Sequence, residues 1–131
     1  MKWSKPFDPK GLLIWVGARL TGHDGKKRDL VMALDPGSEM TSVDVDLASS
    51  IGLTKDRKIA NARLRGSDGE HKAYVIPAPR LEVFGRSVEN ISIACNPLPT
   101  HHGVQGLLGL DFFRGTDLCI RFKTGIIELE D

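Results

Sequence analysis

Apolar residues along this chain recur in short runs, several with a period of two, and turn-forming residues punctuate them. Leu12 to Leu20 is apolar and partly alternating, which predicts a strand. Thr21-Gly22-His23-Asp24-Gly25 predicts a hairpin loop, and Leu30 to Leu34 predicts a second strand that stops at Asp35-Pro36-Gly37. One early helix is expected from Asp44 to Ile51: Asp44 can accept from the free N–H groups of the first turn, Val45, Leu47, Ala48 and Ile51 share a face, and Gly52 is a natural stop. Ile59 to Arg65 and Glu70 to Ile76 flank Gly66-Ser67-Asp68-Gly69, a strong hairpin signal. Beyond Pro77 and Pro79, Leu81 to Phe84 and Val88 to Cys95 continue the β pattern, with a turn at Gly85-Arg86. Pro97 to Gly103 reads as a loop, Leu107 to Leu110 as an apolar run around Gly109, and Asp111 to Gly115 as a short helix. Leu118 to Phe122 and Gly125 to Leu129 close the chain as a hairpin. Residues 1–10, with Pro6 and Pro9 among charges, read as an irregular lead-in. The expected fold class is all-β: a small closed or nearly closed barrel with one or two short helices.

The length, 131 residues, suits a single domain over 1–131. Lys plus Arg is 18 and Asp plus Glu is 17, a net charge of +1. That balance argues against a partner of nucleic-acid phosphates or an anionic membrane surface, so neither partner is expected. Apolar residues at 40% and charged residues at 27% are an ordinary globular ratio, which excludes disorder. No apolar run approaches the roughly 18 residues of a membrane span, and none resembles an export signal, so a reducing cytoplasmic compartment is the expectation. Cys95 and Cys119 make no disulfide framework. Two small buried hydrophobes, one disulfide or a reactive thiol all remain open for them. Trp3 and Trp15 read as packing residues.

The chemistry concentrates in two stretches. In Leu30-Val31-Met32-Ala33-Leu34-Asp35-Pro36-Gly37-Ser38 an apolar strand delivers a carboxylate to its end, and a Gly-containing turn lets backbone N–H groups approach it. Alone, this is a common turn. The second stretch is Gly106-Leu107-Leu108-Gly109-Leu110-Asp111-Phe112-Phe113, two bulky apolar residues ahead of a Gly and a short helical segment. With the Gly-tipped hairpin between them, the ordered set resembles the retropepsin-like aspartic peptidases over roughly residues 11–129.

That resemblance implies an aspartic endopeptidase in which Asp35 is the catalytic acid and Pro36, Gly37 and Ser38 form the active-site loop. Leu107, Leu108 and Gly109 would support that loop, and Asp111 would be a structural acid. Gly66, Ser67, Asp68 and Gly69 would tip a flap, at about 61–76, that closes over substrate. The family's chemistry uses two carboxylates sharing one proton, and this chain carries one such motif, so the resemblance implies a homodimer around two copies of Asp35. The partners would be a peptide or protein substrate and a second copy of the chain. No cofactor and no metal would be needed.

Two positions depart from the family. Residue 36 is Pro where the family has Thr or Ser, whose hydroxyl bonds across the dimer axis. Pro has neither hydroxyl nor N–H. The alternative expectation is therefore a catalytically impaired relative that binds peptides or mediates assembly. Glu39 stands where a small or apolar residue is usual. It either raises the apparent pKa of the acid pair or points to solvent. His101-His102 lacks partners at metal-ligand spacing and reads as a solvated loop. Gly106 to Gly109 lacks the Gly-Lys-Ser/Thr of a phosphate loop.

Overall fold

The computed structural model describes residues 1–66, 69–98 and 103–131, with the backbone alone for residues 65 and 66. Its strands are β1 (Lys2–Pro6), β2 (Trp15–Thr21), β3 (Lys27–Leu34), β4 (Ser42–Asp44), β5 (Ala60–Gly66), β6 (Gly69–Val83), β7 (Arg86–Asn96), β8 (Gly106–Leu108), β9 (Asp117–Arg121) and β10 (Ile126–Glu130). The helices are α1 (Val45–Ser50) and α2 (Leu110–Phe113), with single 3-10 turns at His23–Gly25 and Lys55–Arg57.

Seven strands form one sheet in the order β2-β3-β8-β4-β7-β6-β5. The sheet curls until β2 pairs with the far end of β6, so six strands run in a nearly closed ring and β5 extends from it. The alternation in β2 explains the inward face: Val16, Ala18 and Leu20 are buried, and Trp15, Gly17 and Arg19 face out. Met32, Val43, Ile76, Leu81, Ile93, Leu108 and Phe112 complete the interior. Each such side chain contributes about 1.5–3 kcal/mol by leaving water.

β6 explains how prolines fit a long strand. One edge pairs with β7, while the other pairs with β5 as far as Val75 and with β2 from Arg80 onward. Pro77 and Pro79 fall in the gap between those two partners, where a missing N–H costs no ladder bond. The turn to β7 is two residues long, Phe84-Gly85, both at positive φ of 62° and 86°, as a tight right-twisted hairpin requires.

Asp44 caps α1 as its sequence implies, its Oδ2 accepting from the N–H of Asp46 at 3.2 Å and of Leu47 at 3.4 Å. Gly52 ends the helix at φ +81°, with Gly52 N–H on Ser49 O and Leu53 N–H on Ala48 O.

The lead-in is a correction. Residues 2–6 are not irregular: β1 pairs antiparallel with β10, which pairs with β9, in a separate three-stranded sheet. The run Lys-Trp-Ser-Lys-Pro carries little apolar signal because β1 is an edge strand whose side chains are mostly exposed. Trp3 is its anchor and packs on Gly85, where a Cβ would sit 2.9 Å from the indole. Likewise, the strand expected from Leu12 begins only at Trp15, and Leu12 is wholly exposed.

Both cysteines are free thiols, Cys119 half-buried on β9 and Cys95 buried on β7. Burial pushes the Cys95 thiol up to about 12. At pH 8 its thiolate fraction is then about 10⁻⁴. A thiol-exchange reagent is expected to leave Cys95 unmodified in the native protein and to reach it only in denaturant, as peptide mapping after labelling will read.

Candidate active site

The second half of β3, Leu30 to Leu34, is apolar, and Asp35 is the first residue beyond the strand. Asp35 stays tied to the core, its N–H donating to Leu108 O at 3.0 Å. The next residues form a tight turn closed by Ser38 N–H on Asp35 O at 3.0 Å. Pro36 occupies the turn's second position, where a fixed φ is favourable and no N–H is needed. Gly37 donates its N–H to Asp35 Oδ1 at 3.1 Å. A Cβ there would lie 3.3 Å from the same oxygen, so the absent side chain is what opens the approach. The half-buried Asp35 carboxylate is thus oriented by its own turn.

Two loops cross beneath it. β8 lies between β3 and β4, parallel to the first and antiparallel to the second, so the chain leaving β3 must pass over β8 to reach β4. The crossing is bonded at several points. Leu110 N–H donates to Ser38 O at 2.8 Å. Thr41, fully buried, donates its N–H to both Asp111 oxygens at 2.9 and 3.0 Å and its hydroxyl to Asp111 Oδ1 at 2.6 Å. The Thr41 hydroxyl oxygen in turn accepts Gly109 N–H at 3.1 Å. Gly109 is required by space: a Cβ would lie 2.7 Å from the Met40 carbonyl carbon and oxygen and 2.9 Å from Ser38 O. Thr41 escaped the sequence reading. Its partner is 70 residues away, and an isolated Thr beside a three-residue strand carries no pattern.

Of the sequence-predicted residues, Asp35, Gly37, Ser38 and Leu107 line one open cleft of about 810 Å³. Asp35, Gly37 and Ser38 form one wall, and the β5–β6 hairpin, through Leu64, Glu70 and His71, forms the other. The two adjacent leucines divide their work: Leu107 lines the cleft, and Leu108 is fully buried in the core. Gly66 and Gly69 are paired at the end of that hairpin, and Ser67 and Asp68 lie outside the described residues, as do His101 and His102. Glu39 is exposed at the cleft. Asn96, also unnoticed in the sequence, ends β7 at the cleft; its amide donates to Pro97 O at 3.2 Å, while its buried Oδ1 has no hydrogen-bond partner among the described residues.

This architecture has a clear counterpart. A crystal structure of a retropepsin-like aspartic protease from Rickettsia conorii matches it with a TM-score of 0.72 at 14% identity, over 98% of this chain and 89% of that one. The fold is therefore the retropepsin-like one. The chain belongs to the aspartyl protease family, whose model, described as aspartyl protease, matches residues 17–112. No curated protein matches it in sequence.

Proposed function

We propose that this protein is an endopeptidase whose catalytic centre forms when two copies bring their Asp35 carboxylates together. The observation that carries this reading is the position of Asp35: held by its own turn, at the end of a core strand, facing a cleft walled by a glycine-tipped hairpin. Two carboxylates about 3 Å apart cannot both ionise, so one is an acid and the other a base. The base takes a proton from a water held between them, and the water oxygen attacks the scissile carbonyl. The acid gives its proton to the carbonyl oxygen. Collapse of the tetrahedral intermediate then expels the amine, which takes up a proton. Pro36, Gly37 and Ser38 shape the acid-bearing loop. Leu107, Leu108, Gly109 and Asp111 support it from below. The hairpin that ends at the Gly66–Gly69 pair acts as the flap, pairing with an extended peptide as an added strand. The whole chain works as one domain and needs no cofactor.

Peptide cleavage by purified protein across pH 3 to 7, followed over a range of enzyme concentrations, tests this. Specific activity is expected to rise with concentration in step with a monomer–dimer transition in sedimentation. Activity that is independent of concentration, in a protein that sediments as a monomer, overturns the paired-acid mechanism.

Pro36 favours one second reading, a peptide-binding or assembly module of the same fold with impaired catalysis. It removes the hydroxyl through which the family's loops grip each other, a bond worth about 1 kcal/mol per copy. Pro36→Thr separates the two readings: activity gained by the variant over an inert parent supports the module, and activity already present in the parent removes it.

A further inference from the structure

A second depression of about 620 Å³ lies beside the Asp35 cleft, and the two share Ala62, Arg63 and Pro97 as lining. Its charged lining is Lys55, Lys58, Arg63 and Lys72, with no Asp or Glu. This concentration of cations is local, since the whole chain carries only +1. Lys58 donates to Asn61 Oδ1 at 2.9 Å, and none of the four cations joins an ion pair among the described residues.

The neighbouring acids lie outside this lining. Asp56, between Lys55 and Arg57, is held by the Thr54 side chain and its own backbone, which lower its pKa. Glu70 lines the Asp35 cleft instead. Arg63 and Lys72 are direct cross-strand partners on β5 and β6. Like charges placed opposite each other destabilise a hairpin unless an anion lies between them or near them. The floor beneath is Val45, Ala73, Tyr74 and Pro97, where a bound carboxylate loses part of its water and meets the cations at a lower effective dielectric.

The geometry points to this basic depression as a docking subsite for an acidic segment of the substrate, outside the bond that is cut. A peptide lying in the Asp35 cleft can extend past Arg63 and Pro97 into it without leaving the surface. The inference rests on the peptidase reading for the identity of the ligand, and it adds the substrate class: peptides with a run of Glu or Asp on one flank.

The test separates binding from cleavage. Six labelled peptides share one central sequence and carry a flank of Glu, Gln or Lys at one end or the other. Their affinities for the Asp35→Asn variant are read by fluorescence anisotropy, and their KM and kcat on the unmodified enzyme are read alongside. Because each copy of the dimer carries the depression, with the flank at either end the Glu peptide is expected to bind about tenfold tighter than the Gln peptide, and the Lys peptide more weakly. The Glu preference is expected to shrink towards parity in Lys55→Gln/Lys72→Gln and at high salt, with melting temperature not lowered, because both lysines are exposed and Lys72→Gln relieves the repulsion with Arg63.

Equal binding of Glu and Gln peptides at both ends overturns the inference, and so does a preference that survives undiminished in the double variant. Inorganic phosphate is the control ligand. Displacement of the Glu peptide by micromolar phosphate marks a phosphate site and overturns the assignment to peptide. A Glu preference in binding together with no cleavage of any peptide supports the subsite and counts against the peptidase reading alone.

Discussion

Replacing Asp35 by Asn is expected to reduce peptide hydrolysis by about 10³- to 10⁴-fold while leaving the fold intact. The size follows from the role: the substitution removes from each centre both the group that takes the water's proton and the group that protonates the carbonyl oxygen, and acid–base groups contribute on that scale. The stability expectation follows from the contacts. The half-buried Asp35 side chain accepts one hydrogen bond, from Gly37 N–H at 3.1 Å, and the amide oxygen of Asn can accept the same bond. A shift of less than about 2 °C in melting temperature is expected, the ordinary range for a substitution away from buried partners. Dimerisation is expected to be no weaker, because the amide removes the repulsion between two like acids. Initial rates, melting curves and sedimentation on the same preparations check all three. Activity in Asp35→Asn above a few per cent of the parent's sinks the assignment of the acid.

Asp111→Ala is expected to do the opposite: to unsettle the fold first and activity through it. Asp111 accepts three hydrogen bonds from Thr41, whose backbone N–H and hydroxyl are fully buried. Its removal strands both donors at the point where the acid-bearing loop crosses the chain after β8. Bonds to a charged acceptor, with the desolvation cost of the orphaned groups, set the loss at about 3 kcal/mol. For a domain of this size that corresponds to roughly 10–15 °C in melting temperature. Asp111→Asn keeps one acceptor oxygen in place and is expected to lose about half as much. Thr41→Val leaves the carboxylate but removes the hydroxyl that receives Gly109 N–H at 3.1 Å, and is expected to fall between the two. Denaturant melts of the three variants give the order. An Asp111→Ala protein as stable as its parent shows that the crossing is held by packing alone.

Much of the fold was legible in the chain because its signals are local. The alternation of Val16, Ala18 and Leu20, the cap at Asp44 with its stop at Gly52, and the hairpin ending at Gly66 and Gly69 all depend on neighbours in sequence. β1 was not legible. Its five residues present mostly polar side chains, and it becomes a strand only because β10 offers an edge to it. The length of β6 was hidden for a related reason: Pro77 and Pro79 are strand breakers until the change of partner on that edge excuses them.

The candidate site divides along the same line. Asp35, Gly37, Leu107 and Gly109 stand out in the sequence because a carboxylate ending an apolar strand, and a glycine within an apolar run, are patterns of adjacent residues. Thr41, Asn96 and the cations Lys55, Lys58, Arg63 and Lys72 do not stand out, since single polar residues scattered along a chain have no periodicity to betray them.

By itself, then, the amino-acid order determined which segments extend, where they turn and which acid ends a core strand, because backbone preference and side-chain alternation act over a few residues. Only the tertiary structure decided that β8 wedges between β3 and β4, that Asp111 holds Thr41 across 70 positions, and that four dispersed cations gather beside the cleft. Those arrangements follow from which strand edges and buried donors are left to be satisfied once the barrel closes, and closure is a property of the whole chain.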